Sequence, residues 1–377
     1  MNPAARRPAV PGGLLAMLGM VAGVETYLAR RDLDFSTVWA QDWRSGGAAA
    51  RVEAPGCTVL CFGDSLLKYG LIPSVLESRA GGRAYNLAMH AGKAPGSYFL
   101  LRRALESGAR PAAVVVDFDA AHLAIGPLEL VRQWPEMLTM RDCLDLAVEM
   151  RDASLFGELA LARLLPSLRA RHEIRAALYA LYKRRRERPR YEILVHLRNW
   201  SLNRGAQVVP KSSRPPSEVD RARRLPPLPP WECDPTNAAY VERFLSLAKS
   251  RGIPIFWLIA PCKGWVQSER ERIGYEQPYN VYVKKLVDRY PNLVVLDARH
   301  SGYPERVFDD ITHLDREGAV ALSASVGDAL EAGLAPGADG PRWRELPPYR
   351  DRPSNGAIED VEQSRIALRH ALGRRGR

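Results

Sequence analysis

The sequence predicts an α/β protein, a doubly wound three-layer α/β/α sandwich around a five-stranded parallel sheet. Three observations carry that prediction. Short apolar runs alternate with helical stretches over residues 57–125 and again over 236–332, and strands that alternate with helices form parallel sheets. The run AAVVVDF (112–118) holds three consecutive valines, as in a strand covered on both faces. The right-handed crossover rule then makes helices on both faces the economical topology.

The N-terminus comes first. Arg6 and Arg7 precede PAVPGGLLAMLGMVAGV, 17 uncharged residues before Glu25, and TYLA then runs to Arg30 and Arg31. Three readings of residues 1–29 stand open. One is an uncleaved membrane anchor, slightly short of the ~20 residues of a span unless Glu25 snorkels. Another is a cleaved signal peptide, with its basic, apolar and small-residue order. The third is an ordinary amphipathic or disordered start. Either of the first two places the body on the extracytoplasmic side. Residues 30–55, which contain GGAAA, read as a linker.

The α/β domain follows in two sections, 56–126 and 231–334. CTVLCF (57–62) is the first strand, and LLKYGLIPSVLESRAGG after it is helical. RAYNLAM (83–89) is the second strand, followed by a helix in PGSYFLLRRALESG with Pro95 near its start; AAVVVDF is the third. The alternation resumes with the helix TNAAYVERFLSLAKSRG, ending at Gly252, and the strand IPIFWLIA (253–260). The helix YNVYVKKLVDRY, the strand NLVVLD (292–297) and a last helix over 315–332 close the unit.

Residues 127–230 interrupt it. LDLAVEM, FGELALARLLPSL and IRAALYALYKRRRER carry apolar residues at helical spacing, whereas KSSRPPSEVDRARRLPPLPP is too rich in proline for regular helix. This segment leaves after one strand and returns before the next, so it reads as a lid or cap inserted at a sheet edge. Past residue 334 the chain becomes a polar tail, extended or loosely docked apart from one short helix at AIEDVEQSRIALRHAL.

At 377 residues, 46% hydrophobic and 26% charged, the chain suits a soluble globular body with one large core or two ordinary ones. Its net charge of +11 is local: residues 151–230 hold 18 Lys and Arg against 7 Asp and Glu, and the remainder balances. That basic insertion, with KRRRERPR at 183–190, has three readings: a solvated surface, contact with anionic lipid headgroups, or a guide for an anionic polymer. No base-reading or stacking element accompanies it, which argues against nucleic acid. The five cysteines form no CxxC pair, so no zinc or redox motif is present, and nothing calls for a metal or cofactor. Cys57 and Cys61 sit about 13 Å apart along one strand, too far to bridge, and read as core residues. A Cys233–Cys262 disulfide is conceivable in an oxidising compartment.

In such a sheet, function collects beyond the carboxyl ends of the strands. There stand Gly63-Asp64-Ser65, then MHAGKAPG with Gly92, then Asp119 and His122, then PCKGW, and last VFDDITHLDREGA. A serine hydroxyl is a poor nucleophile until an imidazole takes its proton, and the imidazole needs a carboxylate to fix its tautomer. Asp310-Ile-Thr-His313 supplies both within one turn, before a helix that Asp315 could cap. Ser65, His313 and Asp310 are therefore the expected catalytic residues. His90 and His122 read as ordinary loop residues, and Lys263 and Trp265 as either pocket lining or loop packing.

GDS after the first strand, a glycine after the second and DxxH before the last helix together resemble the SGNH (GDSL-type) hydrolase superfamily, over about half of the chain. The resemblance implies a flavodoxin-like sandwich and an esterase or O-acetyl transferase acting on an ester or acylated carbohydrate. It makes Ser65 the nucleophile and first oxyanion donor, Gly92 the second donor, His313 the base and Asp310 its orienting acid. Asp64 is then the residue that braces the loop. One block departs from the pattern. Where the family presents an asparagine, this chain reads VVVDFDAAHL, and no asparagine occurs between Asn86 and Asn199. Ionised Asp119 only accepts and would oppose an oxyanion; losing one donor costs ~3 kcal/mol of transition-state stabilisation. Either two backbone donors suffice, or His122, Asn199 or Asn203 substitutes. The layout also resembles membrane-tethered members that modify cell-envelope polysaccharides. The alternative is a non-catalytic envelope protein that keeps the fold as a polysaccharide-binding or scaffolding module.

Overall fold

The structure is a computed structural model and describes residues 12–183, 189–211, 217–225, 228–337, 340–353 and 358–375. Arg6 and Arg7, most of the basic run at 183–190, and parts of the proline-rich stretch lie outside the described residues.

Six parallel strands form one sheet: β1 (Val59–Phe62), β2 (Ala84–Asn86), β3 (Ala113–Val116), β4 (Ile255–Ile259), β5 (Leu293–Asp297) and β6 (Trp343–Glu345). Their order is β2-β1-β3-β4-β5-β6. The first five fall inside the apolar runs read from the sequence. The sixth corrects the expected count of five. It is only Trp-Arg-Glu, without an apolar run, and is recruited by pairing with β5 and by the Trp343 indole N–H, which donates to Asp297 at 3.2 Å.

Alternate strand residues enter two separate hydrophobic cores, as the two-residue period requires. Leu60, Phe62, Val114, Val116 and Trp257 belong to one, with the helices Ala94–Glu106, Pro235–Ser250 and Glu276–Arg289. Cys61, Val115, Phe256, Leu258 and Leu296 belong to the other, with Pro73–Ala80 and Arg316–Leu334.

Two expectations outside the sheet are corrected. The stretch read as a linker contains the helix Val38–Val52, which buries Trp43 completely in the first core. Its GGAAA serves close packing: a Cβ on Gly47 would come within 2.7 Å of the Arg103 guanidinium. The tail past 334 is docked. After β6, the helix Val361–Arg375 packs on the insertion helix Pro189–Leu202, where Arg365 pairs with Glu192 at 2.7 Å.

The insertion contributes the helices Met140–Glu149, Ala153–Leu164, Arg171–Tyr182 and Pro189–Leu202, and even its proline-rich part forms one short helix, Glu218–Ala222. Its return covers the β2 edge, where the Asn86 N–H donates to the Arg204 carbonyl at 3.0 Å. All five cysteines are free, so the Cys233–Cys262 disulfide does not form here; four are buried and Cys233 is half-buried. Gly12–Arg30 is a single 19-residue helix, long and apolar enough to cross a membrane and exposed over almost its whole length.

Candidate active site

β1 ends at Phe62, and the chain turns at Gly63 with φ of +146°, a backbone state that favours glycine. A Cβ there would also come within 2.7 Å of the Asp117 carbonyl oxygen. Asp64 then caps the helix Ser65–Gly70, its Oδ1 accepting the Leu66 N–H at 2.7 Å. Ser65 thus takes the first helical position, where the backbone N–H has no intrahelical acceptor.

The loop after β5 brings Asp310 and His313 to it. Asp310 Oδ1 accepts the N–H groups of Thr312 and His313, each at 2.8 Å, the local turn that Asp favours. Its Oδ2 lies 2.7 Å from His313 Nδ1, and His313 Nε2 lies 2.8 Å from Ser65 Oγ, across 248 residues of sequence. A ring that donates from Nδ1 to a carboxylate has an accepting Nε2. Burial alone would raise the Asp310 carboxyl, but the His313 ring and the two backbone N–H groups outweigh it and hold it well below the usual range. Asp315 caps the next helix, its Oδ1 accepting the Gly318 N–H at 3.0 Å.

Asp64, adjacent to Ser65 in the chain, belongs to a second set of charges. Asp64 Oδ2 is 2.6 Å from His122 Nδ1, an ion contact off the hydrogen-bond line. Asp119 Oδ2 is 3.7 Å from the same nitrogen. Burial works against the imidazolium, yet Asp64 and Asp119 push it up to about 10, so His122 carries its proton at neutral pH. Asp119 is buried too, but His122 and Arg270 bring it below the ordinary range. Asp117 is fully buried, and burial together with Asp64 and Asp119 raises it above the ordinary value. Sequence reasoning passed over Asp117, whose position at the β3 terminus was its only signal. The ligand atoms of Asp64, Asp119 and His122 lie within 4.8 Å of one another, a spacing that would admit a cation. His122, read from the sequence as an ordinary loop residue, is instead paired with two carboxylates.

A third network steadies the helix Ser65–Gly70 and was also missed. Lys68 and Tyr69 lie on that helix. Lys68 Nζ is 2.5 Å from Asp42 and sits over the Trp200 ring. Asp42 also receives both the His90 N–H, at 2.8 Å, and His90 Nδ1, at 2.7 Å. Burial would raise Asp42, but Lys68 and His90 lower it to about 2. His90 is therefore a buried structural residue and not an ordinary loop residue. Its Nε2 lies 3.2 Å from the Tyr69 hydroxyl, which accepts from Gln207 at 2.8 Å, and the Tyr69 ring stacks obliquely 4.8 Å from that of His313. The signal was thin: one Asp between two tryptophans, and Lys-Tyr in an apolar helix.

Three expected donors are placed elsewhere. The Gly92 N–H donates to the Met89 carbonyl at 3.0 Å and so is turned away from an oxyanion role. Gly92 must nonetheless be glycine, since a Cβ would come within 2.3 Å of the Gly63 oxygen. Asn199 and Asn203 are buried and both donate to the Glu359 carbonyl of the docked tail. Lys263 is buried against Asp220 of the insertion at 2.8 Å, strapping the insertion to the loop after β4. A polar cleft of about 420 Å³ opens beside His313, lined by Tyr69, His196, Lys211, Asp310 and Arg365 among others.

The sequence matches no family model and no curated protein.

Proposed function

We propose that this chain is a serine-dependent ester hydrolase or O-acyl transferase of the SGNH type, with the three-layer flavodoxin-like arrangement of that superfamily. The observation that carries the reading is the unbroken chain from Ser65 Oγ through His313 to Asp310, with links of 2.8 and 2.7 Å. In this reading Ser65 Oγ attacks an ester carbonyl while its proton passes to His313 Nε2. The leaving alcohol takes that proton and the acyl group stays on Oγ. Water or a sugar hydroxyl then gives its proton to Nε2 and removes the acyl group.

The oxyanion forms beside Ser65, whose N–H is the first donor. We assign the charge on the other side to His122, a cation fixed by two carboxylates where the family has a neutral asparagine. The polar cleft beside His313 suits a carbohydrate-like alcohol. Hydrolase and transferase use the same residues and differ in which hydroxyl reaches the acyl-enzyme; the Asp220–Lys263 strap draws the insertion toward that choice. The apolar N-terminal helix fits an anchor that holds the body on the extracytoplasmic side.

A fluorophosphonate probe tests this. The full chain should be labelled and should turn over a simple acetyl ester, and Ser65→Ala should do neither. The turned-away Gly92 N–H favours one rival, a non-catalytic polysaccharide-binding module that retains the fold. Absence of labelling together with binding of an acidic glycan would select that rival.

A further inference from the structure

Gly12–Arg30 and the insertion touch at one informative point. The N–H of Ser167 donates to Glu25 at 2.9 Å, and the Ser167 hydroxyl also bonds that carboxylate. Glu25 lies five residues before the helix ends at Arg30, or about 7.5 Å along its axis at ~1.5 Å per residue. If this helix spans, its 19 residues cover roughly 28 Å, close to the ~30 Å hydrocarbon thickness. Its last turn then lies at the bilayer boundary. The segment Pro166–Arg169 stands alongside that last stretch, about one and a half turns deeper than the helix end.

What the insertion exposes there is apolar. Leu164 is 66% exposed, and Leu161 and Leu168 are also exposed. The next helix, Arg171–Tyr182, leaves Leu178, Leu181 and Tyr182 in the open, the last two at 74% and 78%. Arg171 and Arg175 are exposed one to two turns before them, and Lys183 follows directly. Leucine and tyrosine beside exposed basic groups are the composition of a helix that lies in a membrane interface. Glu25 is no obstacle, since Ser167 satisfies its carboxylate within the protein.

We infer that the insertion is a second membrane-contacting element: the hairpin around Leu161–Leu168 and the end of the helix Arg171–Tyr182 sit in the headgroup and upper acyl region of the bilayer that the N-terminal helix crosses. The occupant of this face is lipid. The exposed Arg171, Arg175 and Lys183 are thereby turned toward the membrane, which fixes the orientation of the body relative to the bilayer. This inference rests on reading Gly12–Arg30 as an anchor, and is independent of whether Ser65 is reactive.

Nitroxide depth measurements on the full chain in vesicles of phosphatidylcholine and phosphatidylglycerol test it. Cys233 is replaced by serine, the other cysteines being buried. Single labels are placed through Leu18→Cys, Leu164→Cys, Leu168→Cys, Leu181→Cys and, on the far end of the helix Val38–Val52, Val52→Cys. The expected result is oxygen access above that of a water-soluble nickel complex at Leu18, Leu164, Leu168 and Leu181, reversed at Val52. Bilayer depth at Leu18 with Val52-like behaviour at the three insertion sites would overturn the inference and leave the anchor standing. Aqueous behaviour at Leu18 as well would overturn both. Neither result bears on the esterase reading, which the fluorophosphonate probe tests separately.

Discussion

Around the turn that carries Asp64 and Ser65, two histidines stand against carboxylates in different ways. His313 meets the Asp310 carboxylate through Nδ1, and its Nε2 faces the Ser65 hydroxyl. Asp310 is itself partly satisfied by two backbone N–H groups, so its demand on the ring is shared. His122 faces two carboxylates at the same nitrogen and is held charged. The same residue types thus turn one ring toward a serine hydroxyl and hold the other as a fixed cation between two acids.

The sharpest break in that comparison is removal of the base. His313→Ala and Ser65→Ala should each lower kcat on an acetyl ester on the order of 10⁴-fold or more, with KM little changed; a tenfold loss would sink the assignment. Next is the fixed cation. His122→Phe should cost ~10²- to 10³-fold in kcat, the scale of one oxyanion donor, while Ser65 still reacts with the fluorophosphonate, more slowly. An unchanged kcat would return His122 to a purely structural role.

Stability gives a smaller but distinctive signature. The His122 proton is held to about 10 against an ordinary 6.5. Because its folded value is raised, its contribution is complete below about pH 6.5 and is lost as pH rises through about 10. Thermal melts of the wild type should therefore fall across that window, and His122→Phe should flatten the fall. Asp310 has the opposite sign: its contribution is present above its ordinary 3.8 and is lost as pH falls toward its lowered folded value. The smallest effect belongs to Asp117. Its raised value means the folded state keeps a proton that the unfolded chain releases above 3.8, which costs stability as pH rises. Asp117→Asn should add about 1 kcal/mol at neutral pH, read as a rise in melting temperature; a fall would show that the ionised form is required.

The parts of this molecule legible in the sequence are those written in adjacent residues. The five apolar runs appear as strands because each carries its own period or its own valines. Ser65 and the Asp310–His313 turn were legible because a strand end and a three-residue spacing are local facts. The Asp42–Lys68–Tyr69–His90–Gln207 network was not, since its members lie up to 165 positions apart and form no motif. GGAAA misled because small residues serve flexible linkers and tight helix contacts alike, and only the partner, here Arg103 and Met137, distinguishes them. Gly92 was expected as an oxyanion donor; its N–H instead bonds the Met89 carbonyl, and its need to be glycine comes from the Gly63 oxygen.

The contact of Asn86 with the Arg204 carbonyl has a consequence for the chain's behaviour in bulk. β2 is a margin of the sheet, and an uncovered margin is a template on which a second copy could pair and build outward. Here the insertion supplies the acceptor itself, while the opposite margin, β6, is only three residues of Trp-Arg-Glu. Displacing the insertion's return at Arg204 would expose β2 to pairing with a second copy, read as self-association in solution.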